Sequence, residues 1–136
     1  FVKGQEYNEI SVFKQFETRL VFKNFGRTCF INKQPEQPDF DAAKAGLDYL
    51  WEIWNNKPDF DVIVLDELFI ALHFQLISEK EVLALIEKKP KYPEMIITGR
   101  YAPASILAIA DLITDMQEIK HYYHTEKLTS REGIEF

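Results

Sequence analysis

The 136-residue chain carries 16 basic and 22 acidic residues, for a net charge of −6, and 46% of its residues are hydrophobic. This composition supports one globular domain with a substantial core, and we predict a single domain over residues 1–136. Neither charge sign forms a long block, which argues against a general nucleic-acid or anionic-membrane surface, so neither partner is expected.

The cysteine content and the hydropathy pattern narrow the class of protein further. Cys29 is the only cysteine, which rules out an internal disulfide bond and favours a cytoplasmic location. No apolar run approaches the roughly 20 residues that a membrane-spanning helix needs. The chain opens on Phe1-Val2-Lys3-Gly4 without a methionine. We interpret this opening as the end of a buried strand, and the chain as a fragment.

The first half of the chain predicts a strand, a loop and a long helix. Glu17–Phe25 mixes β-branched and aromatic residues with alternating polarity, which indicates a strand. Asn32–Pro38 is typical of a loop. From Asp39 onward apolar residues, including two tryptophans, recur at helical spacing, and Pro58 lies just beyond the end. This pattern predicts an amphipathic helix with Asp39 as its N-cap and both tryptophans in the core.

The second half alternates predicted strands and helices. Asp61–Asp66 is a short continuous apolar run ended by acids, typical of a parallel strand covered on both faces, and Met95–Gly99 is a second buried strand. Ser78 and Glu81 form a capping box that begins a helix. The other predicted elements are a helix over Leu68–Leu76, a helix from Pro103 to Ala110 and a strand over Leu112–Ile119. The alternation indicates an α/β layered domain with a mostly parallel sheet.

Polar residues follow both apolar strands and define a candidate site. Parallel strands bring their carboxyl ends to one edge of the sheet, so Asp66-Glu67 and Thr98-Gly99-Arg100 are expected to meet there. A carboxylate at a strand end suits Mg²⁺ bound against nucleotide phosphates, and the fork of Arg100 suits phosphate oxygens. The structural alternatives are an acidic strand-to-helix turn and a surface ion pair of Arg100.

An ordered set of short segments carries a resemblance to a known family. The segments are Phe1–Gly4, Val62–Leu68, Ile96–Arg100, Ala110–Met116, Ile119–His121 and the terminal Gly133–Phe136. Together, and in this order from the first residue to the last, they closely resemble the P-loop cob(I)alamin adenosyltransferases. Another P-loop ATPase would share only the Asp66-Glu67 strand end.

The resemblance implies a fold, a reaction and a set of ligands. The fold is a RecA-like P-loop NTPase layered α/β domain, usually a homodimer. The implied reaction moves the 5′-deoxyadenosyl group of ATP to Co(I) of a corrinoid and releases triphosphate, with Mg²⁺ as cofactor and a reductant protein as partner. By resemblance, Glu67 and Asp66 are metal ligands, Arg100 is a phosphate contact, and Lys3 and Gly4 border the nucleotide. Cobalt is the nucleophile, so no catalytic side chain is predicted.

The chain departs from the family's pattern in two places. The glycine-rich phosphate loop of the family belongs before Phe1 and is absent from this sequence. Family members often carry a Phe-x-Trp element that contacts the corrinoid, where this chain has Gly26-Arg27-Thr28-Cys29-Phe30. Arg27 and Phe30 are the candidates for that contact, and we predict that Gly26–Pro38 forms a lid over the corrinoid.

Two other functions remain open at this stage. One is a non-catalytic corrinoid- or nucleotide-binding relative that lacks the phosphate loop, and the other is an unrelated P-loop kinase or ATPase. Cys29 is interpreted as a small apolar side chain and His73 as a structural residue of a helix. His121 matches the family's Lys-His pair, but the sequence assigns it no role.

Overall fold

The computed structural model describes residues 1–2, 8–16, 19–27, 34–56, 59–129 and 131. The chain divides into two compact units, one of Phe1–Gln5 with Lys23–Ile109 and the other of Glu6–Phe22 with Ala110–Phe136. No helix in the described ranges combines the length and apolar character needed to cross a bilayer. The single domain over 1–136 stays a prediction.

The structure alternates helices with short strands. In chain order the elements are α1 (Asn8–Phe13), which continues as a 3₁₀ turn (Lys14–Phe16), α2 (Gln37–Asn55), β1 (Val62–Leu65), α3 (Leu68–His73), α4 (Glu79–Glu87), β2 (Glu94–Ile97), α5 (Ala104–Leu107) and α6 (Tyr122–Glu126). The first unit holds α2 to α5 with both strands, and the second holds α1 and α6. The α/β class that the sequence predicts is therefore confirmed.

The two described strands form a parallel pair. Their register runs from Val62 opposite Glu94 to Leu65 opposite Ile97. The prediction that the strands preceding Asp66 and Thr98 are neighbours is confirmed. If the register continues by one residue, Asp66 lies opposite Thr98. Both residues belong to the candidate site.

The two faces of this sheet are not equally covered. Ile63 and Leu65 are buried in a core that also contains residues of α2, α3 and α4. On the other face Val62 and Val64 remain 49% and 55% exposed. The helices of this core therefore cover only one face of β1, and the expectation that both faces are covered stays a prediction.

The core of the first unit is built mainly from three helices and β1. Its buried residues are Ala43, Leu47, Leu50, Trp54, Ile63, Leu65, Leu68, Phe69, Ala71, Leu72, Leu76, Ile77, Val82, Leu85 and Ile106. Trp54 is buried and its indole Nε1 donates to the Leu85 carbonyl oxygen at 3.0 Å, which joins α2 to α4. Trp51 packs against the same core. The prediction that both tryptophans are core residues is confirmed.

The helix starts show one wrong and one correct capping prediction. The cap of α2 is Glu36, not Asp39, because Asp39 lies in the first turn and its Oδ2 accepts from the Glu36 backbone N–H at 2.8 Å. At α4 the predicted capping box is confirmed. The Ser78 N–H donates to Glu81 Oε2 at 2.9 Å, and the Glu81 N–H donates to Ser78 Oγ at 3.2 Å.

An ionic contact supports this cap. Hydrogen bonds from the Ser78 hydroxyl and backbone, followed by the nearby charge of Lys44, lower the pKa of Glu81. Lys44 lies 3.3 Å from Asp48 and 3.5 Å from Glu81. Its pKa is raised, mainly by its hydrogen bond to Asp48 and then by the charge of that carboxylate. The lysine thereby links the exposed surfaces of α2 and α4.

Several predicted elements differ from the structure, among them the helix predicted over Leu68–Leu76, which ends at His73. Within the described part of Glu17–Phe25 no strand forms, and Leu112–Ile119 is irregular backbone instead of a strand. Alternating or apolar patterns favour a strand, but a strand also needs a hydrogen-bonding neighbour, and neither stretch has one among the described residues. Leu112 is 85% exposed as a result. The helix predicted from Pro103 to Ala110 is shorter, at Ala104–Leu107.

Candidate functional site

Thr98 joins the ends of the two strands. Its backbone N–H donates to the Leu65 carbonyl oxygen at 3.2 Å, and its hydroxyl donates to Asp66 Oδ1 at 2.8 Å. The same hydroxyl accepts from the Glu67 backbone N–H at 3.1 Å. Its carbonyl oxygen accepts from the Phe69 N–H at 3.3 Å. One threonine therefore orients the Asp66 carboxylate and anchors the turn into α3.

Glu67 lies at the sharp turn between β1 and α3. Its φ of 56° and ψ of 25° put it in the left-handed region, which is uncommon for a residue with a side chain. Its carbonyl oxygen accepts from the N–H groups of Ile70 and Ala71, at 3.1 and 3.3 Å. Strained backbone of this kind persists where the surrounding bonds enforce it, and it clusters at functional sites. The bond from Glu67 to Thr98 is one such constraint.

Gly99 permits the close approach of α3 to the end of β2. Its φ is +132°, a conformation that only glycine adopts readily. A Cβ atom at this position would lie 2.9 Å from Phe69 Cβ and 3.2 Å from the Phe69 backbone nitrogen. Gly99 therefore lets the start of α3 pack against the end of β2, beside the hydroxyl of Thr98. A side chain at Gly99 would force α3 away from β2.

Arg100 follows this edge as an exposed cation. Its guanidinium carbon lies 5.8 Å from the centroid of the Tyr101 ring. Over the ranges that the structure describes, its guanidinium forms no ion pair. The alternative interpretation of Arg100 as a surface salt-bridge residue therefore has no support from these ranges.

The oxygen atoms at this edge fit the chemistry of Mg²⁺. Mg²⁺ in nucleotide sites takes one or two carboxylates and completes its shell with water and phosphate oxygens. Asp66 is exposed, Glu67 is half-buried, and the two are consecutive. In the described ranges no three His, Cys, Asp or Glu side chains gather into a metal site. A two-carboxylate site shared with a nucleotide remains compatible with this donor set.

The remaining predicted site residues lie apart from these contacts or outside the described residues. Arg27 is bound to the start of α2, where its Nη1 lies 2.6 Å from Glu36 Oε2 and 3.7 Å from Asp39 Oδ2. The Phe1 nitrogen donates to the Asp66 carbonyl oxygen at 2.7 Å, so the chain just before Lys3 borders the site. Lys3, Gly4, Phe30 and Cys29 lie outside the described residues.

Sequence reasoning missed two polar roles. The sequence places Thr98 at the edge, but its bonds to both acidic positions depend on the register of β1 against β2, which the sequence alone does not show. His121, which had no assigned role, caps α6 in the second unit, because its Nδ1 accepts from the Tyr123 backbone N–H at 3.0 Å. An imidazole cap has no strong sequence signature.

The chain matches a known protein family over its whole length. The family model described as ATP:corrinoid adenosyltransferase BtuR/CobO/CobP matches residues 1–136. The chain belongs to this adenosyltransferase family. The resemblance inferred from the ordered sequence segments is therefore confirmed.

Individual members of the adenosyltransferase family align with much of the chain. A corrinoid adenosyltransferase of Pseudomonas aeruginosa is 29% identical over 137 residues, which is 100% of this chain and 66% of that protein. One from a Sinorhizobium species is 28% identical over 88% of this chain and 60% of its own length. The corrinoid adenosyltransferase CobA of Salmonella typhimurium is 32% identical over 66% of this chain and 55% of its own length. The chain thus spans less than two thirds of the length of these relatives.

Proposed function

We propose that this protein transfers the 5′-deoxyadenosyl group of ATP to the Co(I) centre of a corrinoid. The Co(I) electron pair attacks the 5′ carbon, the bond from that carbon to the triphosphate oxygen breaks, and triphosphate leaves with the bonding electrons. Family membership supports this function, since the matched relatives are named corrinoid adenosyltransferases. It also weighs against an unrelated P-loop kinase or ATPase.

The structural observation that carries the proposal is the acidic edge joined by Thr98. Because the nucleophile belongs to the corrinoid substrate, the protein must orient the nucleotide and balance the charge of the departing triphosphate. Asp66 is oriented by Thr98 at 2.8 Å, and Arg100 follows two residues later with an exposed guanidinium. This edge offers groups of both charges for a nucleotide and its counter-ion.

In the proposal each of these side chains has a separate task. Glu67 and Asp66 would hold Mg²⁺, which when bound offsets the negative charge of the phosphates. Arg100 donates to phosphate oxygens through its planar fork. Thr98 keeps the Asp66 carboxylate in place and so reduces the reorganisation needed when the nucleotide binds.

Further parts of the proposal concern the fold and residues outside this edge. We propose that the protein has a RecA-like P-loop fold, in which Lys3 and Gly4 border the nucleotide. Arg27 and Phe30 would face the corrinoid from a lid that is shorter than the predicted Gly26–Pro38, because Gln37 and Pro38 already belong to α2. The proposal also includes a homodimer and a reductant protein that donates electrons to the corrinoid, which reduces its cobalt to Co(I). A cytoplasmic location, supported by the single cysteine of this sequence, completes the proposal.

The test is adenosyl transfer by the intact protein. Protein, Mg-ATP and chemically reduced cobalamin are mixed, and the absorption spectrum of adenosylcobalamin is followed together with triphosphate release. The proposal expects equal amounts of both products. ATP hydrolysis without adenosylcobalamin would instead indicate an ATPase, and corrinoid binding without either product would indicate a non-catalytic relative.

A matched pair of variants connects the activity to the acidic edge. Asp66→Asn removes a carboxylate charge at the carboxyl end of β1, whereas Asp61→Asn makes the same change just before its amino end. We expect Asp66→Asn to lower kcat/KM for ATP by at least about tenfold, and Asp61→Asn to leave it unchanged. Equal effects of the two substitutions would contradict the assignment of the site.

A further inference from the structure

The rings of His73 and Tyr101 form a stacked pair that the proposed function does not use. Their centroids are 4.2 Å apart and their planes are inclined by 27°. His73 is the last residue of α3, the helix that begins after Glu67, and Tyr101 directly follows Arg100. The stack therefore joins the end of α3 to the backbone that carries the arginine.

The backbone of Tyr101 is unusual for an aromatic residue. Its φ is 67°, in the left-handed region where glycine suffers no steric penalty and bulky residues are outliers. Its side chain is 62% exposed, so burial in the core does not explain the ring. Such strain persists where neighbouring contacts enforce it, and the His73 ring supplies one of those contacts.

The Tyr101 ring also contacts Arg100. The guanidinium carbon lies 5.8 Å from the ring centroid, within the range of a cation–π interaction. A carboxylate partner would occupy the N–H groups of the arginine and neutralise its charge, whereas an aromatic face restrains the group and leaves its N–H donors available. This suits an arginine that must receive an anionic ligand.

We propose that Tyr101, backed by His73, is a positioning residue that holds the Arg100 guanidinium ready for the triphosphate chain of the nucleotide. This inference rests on the phosphate-binding role of Arg100 in the proposed function. Tyr101 acts through Arg100 and does not itself touch the phosphates. Loss of the ring should therefore weaken triphosphate binding only while Arg100 is present.

The experiment measures binding of inorganic tripolyphosphate to the intact protein by calorimetry, beside the melting temperature. Tyr101→Gly removes the ring and relieves the backbone strain. We expect two- to fivefold weaker binding, which corresponds to the loss of about one cation–π contact. The melting temperature should not fall, because the strain is relieved. Tyr101→Phe keeps the ring face and should restore wild-type affinity. His73→Ala should weaken binding in the same direction.

The matched control is Gln75→Gly. Gln75 is also exposed and left-handed, with a φ of 57°, but it has no ring. Relieving its strain should leave tripolyphosphate affinity unchanged. An affinity loss of the same size at Gln75 would overturn the proposal, because the effect would then follow from backbone freedom and not from the ring.

Arg100→Ala separates the two proposals. In that background Tyr101→Gly should cause no further loss, and an undiminished loss would overturn the positioning role. If wild-type protein does not bind tripolyphosphate, or if Arg100→Ala has no effect, the positioning role also fails. Adenosyl transfer is measured separately. If the protein makes adenosylcobalamin but the effect of Tyr101 does not depend on Arg100, the inference is refuted and the proposed function stands.

Discussion

Replacing Thr98 by valine tests the junction between the strand ends. Valine matches threonine in shape but has no hydroxyl, so the bonds to Asp66 Oδ1 at 2.8 Å and from the Glu67 N–H at 3.1 Å are both lost. A hydrogen bond to a charged group contributes about 1.5–3 kcal/mol and a neutral one about 0.5–1.5 kcal/mol. Because Asp66 is exposed, water replaces part of the first bond.

The low ends of those two ranges give an expected loss of about 2 kcal/mol in the free energy of unfolding. For a chain of this length that loss corresponds to a melting temperature lower by about 6–8 °C. Urea unfolding and thermal melting of Thr98→Val measure the loss directly. Thr98→Ser is the matched control, because it keeps the hydroxyl and gives up one methyl group, at a cost of up to about 1 kcal/mol.

The functional side of this prediction follows from the same geometry. Without the hydroxyl, the Asp66 carboxylate loses its orientation, so KM for ATP should rise in Thr98→Val and stay near the wild-type value in Thr98→Ser. The reasoning is refuted if Thr98→Val is as stable as Thr98→Ser and uses ATP equally well. In that case Thr98 would not hold the edge together.

Three further substitutions test other parts of the structure. Gly99→Ala introduces a Cβ 2.9 Å from Phe69 Cβ at a φ of +132°, and should lower stability in urea by about 2–3 kcal/mol, so an unchanged midpoint would contradict the close approach. Glu67→Gln removes the carboxylate of a proposed Mg²⁺ ligand and should weaken Mg-ATP binding much more than corrinoid binding in separate titrations, whereas equal losses would argue against a metal ligand. The Ser78 hydrogen bonds lower the pKa of Glu81 below its ordinary 4.5, so its contribution to stability is complete above pH 4.5 and is lost as the pH falls through the lowered folded value. In unfolding measurements across pH, Glu81→Gln should lose less stability than the wild-type protein as the pH falls. The same loss in both proteins would disprove the assignment.

The meeting of the two strand ends was predictable because each strand has a clear local pattern and the alternation of strands with helices favours parallel pairing. A short apolar run that ends in Asp66-Glu67 and a second that ends in Thr98-Gly99 predict parallel strands with their polar ends together, and the register of β1 and β2 confirms this. The capping box at Ser78 was equally predictable, since its partners are three residues apart. Strand pairing failed as a prediction over Leu112–Ile119, because it depends on a neighbour elsewhere in the chain.

The sequence by itself determined the α/β class, the position of the long helix, the parallel strand pair and, through the ordered resemblance, the adenosyltransferase family. The class, the helix and the strand pair follow from apolar periodicity, turn residues and the alternation of strands with helices, whereas the family follows only from the resemblance of an ordered set of segments along the whole chain. Only the tertiary structure decided that the Thr98 hydroxyl joins both acidic positions and that His73 stacks on Tyr101. Those contacts depend on left-handed backbone at Glu67 and Tyr101 and on the register of β1 against β2, which bring together side chains about thirty positions apart.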